Sequence, residues 1–274
     1  MRARCLVAAT MLAVGVAVGA CGSDVPTGPT ATSQAPRPGG GLTADQRRRA
    51  DQLISIFENG TPTVQYGYAE DLHDGRGVTA GRAGYTTNDG DALRVIQAYT
   101  DLAPGNGLAR FAPALRQLAD TGGGDLPEAD YIAAWKQAAD DPAFRRAQDD
   151  QVEQNYFTPA MAAADRLGLT TPLARAELYD AAIQHGHGAD PDGLPALIDR
   201  ATARAGKADE AAWLTAFLDV RADDLRNPAN ADTKEEWSKS TDRVECFRRI
   251  AATGDYTLAG PLTVTAYGAA YTLA

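Results

Sequence analysis

Two carboxylic acids sixteen residues apart, Glu58 and Asp74, are the side chains of this sequence best placed to do chemistry. Glu58 closes an amphipathic helical pattern and is followed by Asn59-Gly60, a pair that stops helices. Asp74 opens the turn-rich run Asp74-Gly75-Arg76-Gly77, with Thr79 just beyond it. Between the acids, Val64, Tyr66 and Tyr68 alternate and predict a short half-buried strand over residues 63–69. Two carboxyl groups on different elements would then face each other across a cleft, with tyrosines and an arginine between them. One acid to protonate a leaving oxygen and one base to activate water are what hydrolysis of a glycosidic bond requires. Either acid alone reads better as a surface carboxylate. The whole spaced string is the stronger signal.

The elements that must position these groups are mostly helical. Thr43-Ala44-Asp45-Gln46 has the form of a capping box, and Leu53, Ile54, Ile56 and Phe57 supply the apolar face of the helix that delivers Glu58. Asp89 or Asp91 opens a second helix through Leu93, Val95, Ile96 and Tyr99, which stops near Pro104-Gly105-Asn106. Further helices are predicted over residues 107–119, 128–139, 142–167 as one long rod, from Thr171-Pro172 onward, and over 191–204, 209–226 and 233–252. Strand is predicted only over 63–69, about 77–87 and a short C-terminal piece near 262–267. Periodicity therefore gives a mainly α (α+β) domain with a small β-sheet at the cleft.

That domain occupies residues 42–274. Ahead of it, residues 1–21 read as a targeting segment, with Arg2 and Arg4 before an apolar stretch from Leu6 to Val18. The stretch is short for a spanning helix. Val18-Gly19-Ala20-Cys21 resembles a bacterial lipobox, which implies cleavage before Cys21 and a lipid on that cysteine. A plain secretory signal is the competing reading. Residues 22–41 are rich in Pro, Thr, Ser and Gly with almost no bulky apolar residue, and predict a disordered tether. The chain would be extracellular, meeting the membrane only through the lipid anchor.

Composition narrows the ligand. With 36 acidic against 26 basic residues the net charge is −10, which disfavours nucleic acid and suits a cationic partner. Cys5 and Cys21 fall in the leader, so Cys246 stands alone in the body and reads as a small core residue. His185-Gly186-His187 is a poor preformed metal site, and a structural or cleft-lining imidazole is the preferred reading of His185. Asp190-Pro191-Asp192 lacks a calcium-loop pattern. No phosphate loop and no nucleophile elbow occur. No metal or cofactor is called for.

The set Glu58-Asn59, the tyrosine pair, Asp74-Gly75-Arg76-Gly77-x-Thr79, Gly84 and Asp91 resembles the signature of the family 46 glycoside hydrolases, the chitosanases. Tyr179-Asp180-Ala181 with His185-Gly186, Phe217-Leu218-Asp219-x-Arg221, and Arg243 followed by Phe247 resemble that family farther along the chain. The segment from Glu58 to Tyr66 is shorter than the family pattern. The resemblance implies a two-lobed, lysozyme-like architecture with a long helix bridging the lobes, and a monomeric, endo-acting, inverting enzyme whose substrate is chitosan. It implies Glu58 as general acid and Asp74 as general base, with Thr79 holding the attacking water. Tyr68 would line the cleft, Arg76 would orient Asp74 or touch sugar, and Asp91 would bind a substrate amine. Asp180, Arg221 and Arg243 would form an ion-pair network supporting the acid. Two other readings stay open: a lysozyme-like enzyme cleaving peptidoglycan, and a non-catalytic glycan-binding lipoprotein.

Overall fold

The computed structural model describes residues 41–73 and 75–274. The leader, Cys21, nearly all of the tether and the acid Asp74 lie outside the described residues.

Helix α1 (Ala44–Asn59) begins and ends on local chemistry. The Thr43 hydroxyl accepts the Gln46 N–H at 3.3 Å while the Gln46 side chain accepts the Thr43 N–H at 2.9 Å. At the other end Gly60 turns left-handed (φ 66°), and its N–H returns to the Ile56 carbonyl at 2.8 Å. Leu53, Ile54, Ile56 and Phe57 are buried, so the helix is seated on its apolar face and its last turn carries Glu58 inward.

A three-stranded antiparallel sheet follows, in the order β1 (Ala69–Asp71), β2 (Val78–Ala80), β3 (Tyr85–Thr86). Glu70 pairs with Thr79, and Thr79 with Thr86. The strand expected over 63–69 is therefore corrected: only Ala69 of that range is strand. Residues 66–67 form a turn, and the Tyr66 carbonyl accepts from the Trp135 indole and the Gln148 amide, both at 3.0 Å, rather than from a ladder. The alternation of Val64, Tyr66 and Tyr68 comes from side chains anchored to a loop.

Helices α2 (Asp91–Leu102), α3 (Ala112–Thr121) and α4 (Glu128–Ala138) pack around this sheet and form one lobe. Its centre is aromatic: Phe144 meets Trp135 and Tyr99 at 4.9 Å each, and Phe111 meets Tyr131 edge-on. The predicted rod 142–167 is continuous but not uniform. It comprises α5 (Pro142–Val152), a wider π turn (Glu153–Phe157) and α6 (Thr158–Leu167). The wide turn immediately precedes Pro159, which has no N–H to give and crowds the preceding turn.

This rod leads into the second lobe, built from α7 (Pro172–His185), α8 (Leu194–Ala205), α9 (Glu210–Arg226), α10 (Lys234–Lys239) and α11 (Thr241–Ala252). The helix expected over 233–252 breaks at Ser240, whose N–H bonds the Trp237 carbonyl at 3.0 Å and whose hydroxyl bonds the same oxygen at 2.7 Å. The C-terminal strand is present as β4 (Leu262–Ala266), and it pairs with an unforeseen β5 (Ala269–Leu273). The whole is the two-lobed, lysozyme-like helical architecture with a small sheet in one lobe.

Candidate active site

Helix α7 is buried on every side. Leu173 through His185 are all inaccessible, although Arg175, Glu177, Asp180, Gln184 and His185 are polar. Such a helix is stable only where each polar group has a partner. Asp180 is gripped from both sides. Arg243 of α11 gives it Nε at 3.1 Å and Nη2 at 2.7 Å, and Arg221 of α9 gives Nη1 at 2.7 Å. Arg243 Nη2 also donates to Glu58 Oε1 at 3.0 Å. Three helices remote in sequence are thereby tied to the last turn of α1. The Arg243 guanidinium also stands over the Phe57 ring, 5.3 Å from its centre.

Arg221 has further partners. Its Nη1 donates to Glu177 Oε1 at 2.8 Å, Nη2 to Gln184 Oε1 at 2.5 Å and Nε to His185 Nε2 at 3.3 Å. Since Nε2 accepts, the imidazole carries its proton on Nδ1 and gives it to the Asp192 carbonyl at 3.0 Å. Burial, with Arg221 and Arg243 nearby, holds His185 well below the usual histidine range, so the ring is neutral. It meets Trp237 edge-on at 4.8 Å. This is a structural imidazole. No group of three metal-ligating side chains occurs among the described residues.

Burial raises the Asp180 carboxyl, but Arg243 and Arg221 outweigh that, and it stays below its ordinary value. Glu177 is a different case. Fully buried and bonded to one arginine, it is pushed up to about 7, chiefly by desolvation. The sequence reading missed it. The signal was available in the spacing: Glu177, Asp180 and Gln184 are polar at i, i+3 and i+7 in a helix otherwise rich in Ala and Leu.

The sheet side is built locally. Residues 72–77 join β1 to β2, and Thr87 and Asn88 clamp this connection. Thr87 N–H meets the Val78 carbonyl at 3.1 Å, Val78 N–H meets the Thr87 hydroxyl at 3.1 Å, and the Asn88 amide reaches the Gly75 carbonyl at 3.0 Å. Gly77 is obligatory there: its φ is 73°, and a Cβ would lie 2.2 Å from the Thr87 hydroxyl oxygen. Arg76 lies half-buried in the connection. Thr79 is only 1% exposed, and its hydroxyl has no hydrogen-bond partner among the described residues. Tyr68 is half-buried and donates its hydroxyl to Glu70 at 3.2 Å.

Asp91 is the first residue of α2, next to the left-handed cap Gly90. Its Oδ1 accepts the N–H of Thr86 at 2.7 Å and of Ala92 at 2.8 Å, tying β3 to α2. Desolvation pushes this carboxyl up to about 6 against those N–H groups and Arg94. A cavity of about 580 Å³ along α1 contains none of the expected site residues. Its charges are already paired with one another, Arg82 with Asp51 and Asp149, and Arg47 with Asp51 and Glu153. Glycoside chemistry has no convergent pair there.

A lysozyme-like helical fold, with an acid at the end of its first helix and a small sheet in the facing lobe, defines the class as glycoside hydrolases. The sequence model of Glycosyl hydrolase family 46 matches residues 52–262. The chitosanase of Bacillus subtilis is 51% identical over 82% of this chain and 83% of its own length. Two solved structures superpose closely. One is a mutant chitosanase from Bacillus subtilis complexed with six GlcN, with a TM-score of 0.80, 48% identity, and 85% of this chain and 100% of that one covered. The other is a chitosanase from Gynuella sunshinyii with chitotetraose, with a TM-score of 0.79, 48% identity, and coverage of 85% and 99%. The chain belongs to glycosyl hydrolase family 46.

Proposed function

We propose that this enzyme hydrolyses the β-1,4 bonds of chitosan from within the polymer, with inversion at the anomeric carbon. Glu58 is the general acid: it protonates the leaving glycosidic oxygen. Asp74 is the general base and deprotonates a water held by the Thr79 hydroxyl, so the water attacks from the face opposite the leaving group. Tyr68 and Arg76 contact the sugars, and Asp91 receives a protonated amine. The observation that carries this reading is Glu58 itself, a carboxyl buried at a helix end and held in one direction by Arg243. The unfilled bonding capacity of the buried Thr79 hydroxyl supports the water-holding role. An acidic chain favours a polymer of amines over neutral chitin.

The enzyme acts as a monomer outside the cell, anchored through a lipid on Cys21. Proton NMR of soluble chitosan during digestion tests the chemistry. New α-anomer signal appearing ahead of mutarotation, with oligomers of several lengths, is the expected result. First-formed β-anomer would overturn inversion, and turnover of peptidoglycan without turnover of chitosan would overturn the substrate.

A further inference from the structure

Three carboxyl groups, Glu58, Asp180 and Glu177, are arranged on two guanidiniums, Arg243 and Arg221, in an interior where none is more than 6% exposed. With all five ionised the cluster carries one surplus negative charge. Isolated charge is expensive in such a setting, so the surplus favours one bound proton. Asp180 does not hold it, because it alone bonds both arginines. Glu58 and Glu177 remain, one at each end of the chain Glu58–Arg243–Asp180–Arg221–Glu177. Among the described residues Glu58 bonds Arg243 and Glu177 bonds Arg221, and Glu177 Oε2 has no partner there.

Among the described residues, the other charged and titratable groups nearby do not alter the count. His185 is neutral, and the buried Cys246 thiol is pushed up to about 12 by desolvation. Asp224 lies beside His185 but is paired with Arg200. Tyr156 near Glu58 is a phenol that burial displaces upward, so it is neutral.

We propose that Glu177 is a positioning residue for the acid. It competes with Glu58 for the charge of the two arginines, so that the two glutamates share one proton and Glu58 keeps it to higher pH than the arginines alone would permit. The proposal rests on Glu58 being the general acid. Without Glu177, Asp180 with Arg221 and Arg243 would carry one surplus positive charge, and that charge would hold Glu58 as carboxylate. Glu177 cancels that charge. Its own carboxyl is pushed up to about 7, chiefly by burial and further by the neighbouring Asp180 carboxylate.

Carbon-13 NMR of the glutamate side-chain carboxyls tests the coupling directly, in the wild-type enzyme and in Glu58→Gln. The Glu177 resonance, assigned through its own side-chain correlations, should titrate at lower pH in the variant, because the competing negative charge is gone. A Glu177 titration that overlays the wild type overturns the proposal. Kinetics give the converse. In Glu177→Gln the alkaline limb of kcat on soluble chitosan should move to lower pH, because the like charge that opposes ionisation of Glu58 is gone. Measuring both enzymes on one chitosan preparation cancels titration of the substrate amines. A limb that stays in place overturns the proposal, and if Glu177→Gln does not fold the NMR titration decides alone. Full activity in Glu58→Gln would instead sink the assignment of the acid, whatever the resonances do.

Discussion

The surroundings of Glu58 and of Thr79 are built on opposite principles. Behind Glu58 stand Asp180, Glu177, Arg221 and Arg243, fully buried and drawn from α7, α9 and α11, up to 185 residues away in sequence. Behind Thr79 stand a three-residue strand and a glycine turn clamped by Thr87 and Asn88, all within about a dozen residues. The paired ions behind Glu58 fix its direction and tolerate no missing member. The sheet side fixes positions through backbone geometry, and a fault there moves atoms without stranding charge. On the proposed reading a general acid needs a controlled proton, whereas the base and its water need accurate placement, and each side has the support its task would demand.

Removing one ion should break the acid side hardest. Arg243→Ala leaves Glu58 and Asp180 without the guanidinium between them, and is expected to cost about 3–5 kcal/mol in denaturant unfolding together with nearly all turnover. A loss under about 1 kcal/mol would mean that the buried cluster does not hold the lobes as described. On the sheet side the comparable insult is Gly77→Ala, which forces a Cβ into the Thr87 hydroxyl at positive φ. About 1–3 kcal/mol is expected, with turnover reduced because the β1–β2 connection shifts.

Thr79→Ala sharpens the comparison further. Its hydroxyl bonds to no described residue, so thermal stability should hardly change while kcat on chitosan falls clearly. A large drop in melting temperature with normal kcat would make Thr79 a packing residue.

The smallest effect is a pH slope. Asp91 is raised to about 6 in the folded protein from an ordinary 3.8. A raised carboxyl favours the folded state below its unfolded pKa, and the benefit is lost as pH climbs through its folded value. Asp91→Asn should therefore flatten the fall in melting temperature between about pH 4 and 6. His185, displaced downward, acts in the opposite sense: its contribution is present above the ordinary histidine pKa and is lost as pH falls. An unchanged slope in Asp91→Asn would place that carboxyl in solvent contact and strengthen its claim on a substrate amine.

What could be read in advance follows the same division. The capping box at Thr43, the stop at Gly60 and the glycine turn around Gly77 are local chemistry, and the sequence displays them openly. Residues 63–69 misled because alternation reports which side chains are anchored, not where the backbone bonds, and Tyr66 gives its carbonyl to Trp135 and Gln148. Ser240 broke a helix that periodicity kept whole, through bonds to Trp237 and Gln184 made only in the packed lobe. Asp180, Arg221 and Arg243 could be paired in advance only through family resemblance, since no spacing rule joins residues 63 apart. For Glu177 the spacing displayed a polar face shared with Asp180 and Gln184, but the charge count that gives it importance exists only after three helices meet.

The account turns on Glu58, and turnover of soluble chitosan by Glu58→Gln measures it most directly. Glutamine keeps the shape of the side chain and an oxygen for Arg243, so the melting temperature should stay near wild type while kcat falls by about 10²–10⁴. A folded variant with activity within about threefold of wild type would show that the proton comes from elsewhere.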